Sequence, residues 1–189
     1  VEEQLKTMKK THFSALGLEV KLDENQHYHD DGLVENLDVH RERLDKKYGQ
    51  RTQRIKGAGA CYVYKYRRIS FPPRFRSEIH VHIFYKASDV GIRGHEEAHA
   101  LAYLGKLRNL WGRIKDLYGT REMAKLMIKL LLRRIQSRGG EYVGHIGTAL
   151  ALDSNNKVRS SKKLSFNELV DLIEGLYKQS TQDQDTGLP

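Results

Sequence analysis

Two runs of strict alternation, held apart by Pro72-Pro73, constrain this chain more than any other feature. From Ala60 to Phe71 the tyrosines Tyr62, Tyr64 and Tyr66 fall on one face, with Cys61, Val63 and Lys65 on the other. From Glu78 to Tyr85, Ile79, Val81, Ile83 and Tyr85 share one face, with His80, His82 and Phe84 opposite. A period of two alternates side chains across a strand, and a Pro-Pro pair between such runs marks a turn. Beyond Asp89 the apolar residues recur at helical spacing instead. Strands first and helices after them predict an α+β fold, a short antiparallel sheet followed by a helical half.

Glycines divide the helical half. The pattern predicts helices over Gly91 to Leu104, Leu107 to Tyr118 and Thr120 to about Ser137, broken at Gly105, Gly119 and Gly139-Gly140. Ala124, Leu126, Met127, Leu130 and Leu131 are the expected buried stripe of the third. Glu141 to Leu152 is rich in small residues, and Ser165 with Glu168 forms a capping box opening a last helix, Phe166 to Tyr177. Nearer the start, Leu33, Leu37, Leu44 and Tyr48 predict a helix stopped by Gly49. The stretch His27 to Asp31 reads as a solvated loop that caps it. The expected organisation is a polar, partly helical segment over 1–50, a main domain over 51–178 and a disordered tail over 179–189.

Composition removes several function classes. No apolar run approaches the roughly 20 residues that cross a bilayer, and Val1 to Lys10 is charged and lacks an apolar signal core. The single cysteine, Cys61, allows neither an intrachain disulfide nor a cysteine-based zinc finger, so a cytoplasmic, reducing setting is expected. The net charge is +9, but residues 1–48 carry 11 acids against 8 bases. The excess of bases lies further on, and Arg51 to Arg76 holds eight bases and no acid. Such a block fits a nucleic-acid partner or a solvated basic surface.

The chemistry concentrates in His95-Glu96-Glu97-Ala98-His99. Residues at i and i+4 stack on one helix face, so both imidazoles can reach one ion. Zinc suits two neutral imidazoles, and a catalytic site adds a third protein ligand while keeping a position for water. Glu96, next to the first histidine, is placed to take that water's proton. Glu97 falls on another face and is expected to be solvated.

The run Ile79 to Leu104 looks like the zincin layout of an edge strand, a loop and a metal-binding helix. Within the zincins it most resembles the ImmA/IrrE-like metallopeptidases, with Ile79 to Tyr85 as the strand and Arg93 as the arginine before the motif. That family's later motif, roughly E-x-x-A-N-x-F-A-A-x-L-L, is similar in spacing to Glu141 through Leu152: Glu141, Ala149 and Leu152 match, while His145 stands at the Asn and Gly147 at the aromatic. The resemblance implies a zinc-dependent peptidase acting on peptides or proteins. His95, His99 and Glu141 would then be the ligands, Glu96 the general base, and Ile79 to Tyr85 the edge that pairs with substrate. His145 and Glu122 stay open as alternative third ligands. Helix continuing from His99 to Tyr118 would carry the chain about 28 Å away and leave Glu122 remote, whereas a sharp turn at Gly105 would bring Glu122 back into contention.

A rival constellation is His80-Val81-His82, which looks like the HUH motif of rolling-circle and relaxase endonucleases, with Tyr103-Leu104-Gly105-Lys106 similar to their Tyr-x-x-Lys. It implies a divalent ion on His80 and His82 and attack on single-stranded DNA by Tyr103. A third possibility is a DNA-interacting regulator whose zincin site is vestigial.

Overall fold

The computed structural model describes residues 9–135, 139–154 and 163–185. It is an α+β fold in which β1 (Lys9–Phe13) and β2 (Leu18–Leu22) form an antiparallel hairpin, and β3 (Gln26–Leu33), β4 (Gly59–Ser70) and β5 (Arg74–Tyr85) form a second sheet. Between β3 and β4 lies α1 (Leu37–Tyr48). The helical half follows as α2 (Val90–Tyr103), α3 (Leu107–Tyr118), α4 (Thr120–Ile135), α5 (Gly139–Ser154) and α6 (Phe166–Asp185). Among the described residues, no helix is long and apolar enough to cross a membrane.

The sheet is mixed, not antiparallel throughout as expected. Its order is β3-β5-β4, with β5 parallel to β3 and antiparallel to β4. The stretch expected to be the sheet edge, Ile79 to Tyr85, is therefore the middle strand. The reason lies in His27-Tyr28-His29, expected as a loop. Tyr28 packs on Phe13 with ring centroids 4.4 Å apart, while His27 and His29 lie beside His80 and His82 in the parallel register. Polar residues on the outward face conceal the alternation of β3, which then covers one side of β5.

The two faces of the sheet meet different partners. On one, Tyr62, Tyr64 and Phe84 pack with Leu37 and Leu44 of α1. On the other, Val81, Ile83 and Cys61 join Leu101, Leu104, Ile146 and Leu150 in the main core. Asn36 caps α1 through Asp38 N and Val39 N, and Gly49 ends it in the left-handed conformation at φ 65°. Ser165 and Glu168 make the expected reciprocal cap of α6 at 3.2 Å in each direction.

Two expectations in the helical half change. Of the stripe expected on α4, Leu126 and Leu130 are buried, but Ala124, Met127 and Leu131 are exposed because only one edge of this helix meets the core. The tail expected from 179 is helical to Asp185, continuing α6, and residues 186–189 lie outside those described.

Candidate metal centre

Helix α2 starts at Asp89, whose carboxylate accepts from Gly91 N and Ile92 N, and it runs beneath the sheet against α5. Glycine makes that crossing close. A methyl at Gly94 would fall 2.6 Å from the carbonyl oxygen of Gly147, and one at Gly147 would fall 2.6 Å from Ala98 Cβ. Thr148 adds a hydrogen bond to the Gly91 carbonyl at 3.1 Å. The small residues of Gly144 through Ala151 are thus what lets the two backbones approach.

The approach sets Glu141, in the first turn of α5, against the histidines of α2. The Nε2 atoms of His95 and His99 are 3.1 Å apart. Glu141 Oε2 lies 3.4 Å from His95 Nε2, and its Oε1 lies 3.6 Å from His99 Nε2. Three donors held tetrahedrally at about 2.0–2.2 Å from one ion are about 3.3–3.6 Å from each other. The two imidazoles and the carboxylate thus form a group of donors close enough together to hold a metal ion. The glycine at 144 belongs to the same design, since a methyl there would fall 2.5 Å from His95 Nε2.

Electrostatics follow from the packing. Burial alone would lower the His95 pKa, but the Glu141 carboxylate and then Glu96 outweigh it and hold it above the ordinary histidine value. Contacts with His95 and then His99 hold the Glu141 carboxyl well below the usual range. Glu96 is buried beside the pair, and burial raises its pKa against the lowering influence of His95 and His99. Gly59, the first residue of β4, makes room for it, because a methyl there would fall 2.9 Å from Glu96 Cγ and Oε1. Glu141 keeps about half of its side chain exposed, so the cluster opens to solvent on that side.

The other sequence candidates fall elsewhere. The chain does turn at Gly105, φ 68°, yet Glu122 stays at the start of α4 beside Gly119. His145 stands one turn beyond Glu141 behind His95, with ring centroids 5.2 Å apart, and pairs with Ser180 Oγ at 3.1 Å. Burial, then the neighbouring His95, lowers its pKa to about 4. Glu97 is fully buried rather than solvated. Its carboxylate accepts from Ala15 N at 3.2 Å and Leu16 N at 3.1 Å, fastening the β1–β2 turn to α2. Arg93 sits inside the first turns of α2 and pairs with Asp30 of β3. His80 and His82 are on the sheet face that carries α1, while Tyr103 belongs to α2 on the other face, so the sheet separates the HUH-like residues from that tyrosine.

Gly59 and Gly144 escape a sequence reading of functional residues, although Gly144, Gly147 and Ala151 repeat at the i, i+3, i+7 spacing of one helix face. No protein-family model, curated protein or solved structure matches this chain.

Proposed function

We propose that this protein is a zinc-dependent metallopeptidase. The observation that supports the reading is the convergence of His95, His99 and Glu141, from two helices, within ligand distance of one another and beside a buried glutamate. A zinc ion held by these three side chains supplies Lewis-acid polarisation of a peptide carbonyl and makes water acidic enough to lose a proton near neutral pH. Glu96 receives that proton on its carboxylate and returns it to the leaving amine. Its raised pKa suits the first transfer, because a carboxylate of higher pKa is a stronger base towards the water than an ordinary glutamate. β4 takes over the substrate-pairing role expected of Ile79 to Tyr85. It is a sheet edge, and its first residue packs on Glu96, so an extended peptide added there runs past the base.

Two measurements test this together. His99→Ala should lose one zinc per chain by elemental analysis relative to the wild type. Glu96→Gln should keep that zinc and slow cleavage of an unstructured peptide library by about 10²–10⁴-fold. Zinc content unchanged by His99→Ala, or cleavage indifferent to Glu96→Gln, would remove the proposal.

A further inference from the structure

The outer face of the sheet carries histidines that the centre above does not use. β3 and β5 run parallel, with His27 beside His80 and His29 beside His82. The rings of His27 and His80 stack at 4.3 Å with an 11° tilt. Glu78, two residues before His80 on the same face, points Oε2 between them, 3.2 Å from His80 Nε2 and 3.8 Å from His27 Nε2. The three donor atoms lie within 4.8 Å of one another. His27 Nε2 is a buried atom with no hydrogen-bond partner among the described residues. A buried nitrogen left this way is costly unless something absent from the protein itself satisfies it.

The surrounding groups orient these donors. His80 Nδ1 is 2.9 Å from His29 Nε2, which turns His80 Nε2 towards Glu78. Glu78 Oε1 is 3.6 Å from Arg68 Nη1, and the Tyr66 hydroxyl hydrogen-bonds the same carboxylate. Such partners fix ring and carboxylate orientation at metal sites. A second triple, His29, His80 and His82, is also compact. In it, however, His82 has no nitrogen to give, since Nδ1 pairs with Asp31 Oδ2 at 2.9 Å and Nε2 with the Tyr48 hydroxyl at 2.7 Å.

We propose that His27, Glu78 and His80 bind one divalent transition-metal ion, which clasps the edge strand β3 to the central strand β5. Two imidazoles and a carboxylate form a donor set for zinc and its neighbours rather than for calcium or magnesium. The site shares no residue with His95, His99 and Glu141, so it stands or falls separately from the peptidase reading.

The test uses the full chain carrying His99→Ala and Glu141→Gln, in which the helix site is disabled. Dialysis against zinc followed by elemental analysis should return about one zinc per chain. Adding His27→Gln should remove it, adding His82→Gln should not, and adding His29→Gln should weaken binding by about 10–100-fold. His27 is about one-third exposed, so its replacement should leave far-UV circular dichroism and the zinc-free melting temperature unchanged. Zinc should raise the melting temperature only while His27 is present. Absence of zinc from the background chain, zinc retained after His27→Gln, or zinc lost on His82→Gln with the dichroism intact would each overturn the proposal.

Discussion

Gly144 on α5 lies directly against the imidazole of His95 on α2, so close that a methyl on residue 144 would fall 2.5 Å from Nε2 and 2.7 Å from Nδ1. The neighbour is a side chain that can rotate, so Gly144→Ala should spare the fold but turn the ring away from Glu141. The expected result is zinc affinity lower by about 10–100-fold at the helix site, comparable to losing a group that orients a ligand. Chelator competition in a His27→Gln background measures it without interference from the sheet face.

Gly94 and Gly147 meet through backbone, and no rotamer change can relieve a clash there. Gly147→Ala would press a methyl onto Ala98 Cβ at 2.6 Å and onto the Gly94 carbonyl. Separating α2 from α5 should cost about 3 kcal/mol or more, at the upper end of overpacking effects. Gly112→Ala and Gly175→Ala are the controls, since both are helical and neither added methyl meets anything within 4 Å. They should stabilise by about 0.5–1 kcal/mol through helix propensity alone. Urea denaturation of the four chains separates the two classes.

The contrast between these glycines shows how far a single sequence carries. The i, i+4 spacing of His95 and His99 is local, and local geometry makes their convergence readable. The α2, α3, α4 and α6 segments follow from apolar period, glycine breaks and the Ser165–Glu168 cap for the same reason. By contrast, Glu141 to Leu152 reads only as rich in small residues, and Gly139-Gly140, expected to break a helix, opens α5. Glu97 could not be read, because its burial depends on the backbone of Ala15 and Leu16, more than 80 residues away. β3 was hidden because its outward histidines look like a solvated loop until β5 is set beside them. The mistaken edge position of β5 has the same origin, since strand order is a non-local property. Likewise Gly144, Gly147 and Gly112 are one residue type in the sequence, and only the α2–α5 crossing gives the first two a task that the third lacks.

Asp45 ties α1 to the strand behind it, accepting from Thr52 N at 3.0 Å, Thr52 Oγ1 at 2.7 Å, the Tyr64 hydroxyl at 2.7 Å and Arg41 Nη1 at 2.8 Å. Burial alone would raise its pKa, but the Thr52 amide, the Tyr64 and Thr52 hydroxyls and the Arg41 charge together hold it below the ordinary aspartate value. The folded form therefore binds its proton less readily than the unfolded chain. The resulting stability is present above the unfolded pKa of about 4 and is lost as pH falls through the lower folded value. Asp45→Asn should be less stable than the wild type by roughly 1–3 kcal/mol at pH 7. That gap should narrow below about pH 4 as the wild type protonates, which denaturant melts across the acid range would detect.

Gly59 offers a way to move the proposed base without touching a metal ligand. A methyl there would fall 2.9 Å from Glu96 Cγ, Glu96 Oε1 and Ile92 Cγ2, all side-chain atoms on α2. Because Gly59 opens β4, the displaced Glu96 has somewhere to go only by rotating out of its buried seat, while His95, His99 and Glu141 keep their mutual contacts. Gly59→Ala should therefore retain zinc at the helix site but lower kcat for peptide cleavage by about 10–100-fold, because a displacement near 1 Å at a reacting group can cost about two orders of magnitude. KM should change little if β4 still pairs with substrate through its backbone. A fall in kcat with zinc content unchanged supports Glu96 acting from this seat. A variant that loses zinc and activity together would instead mean that Gly59 supports the ligands themselves, and full activity would mean that the base acts from elsewhere.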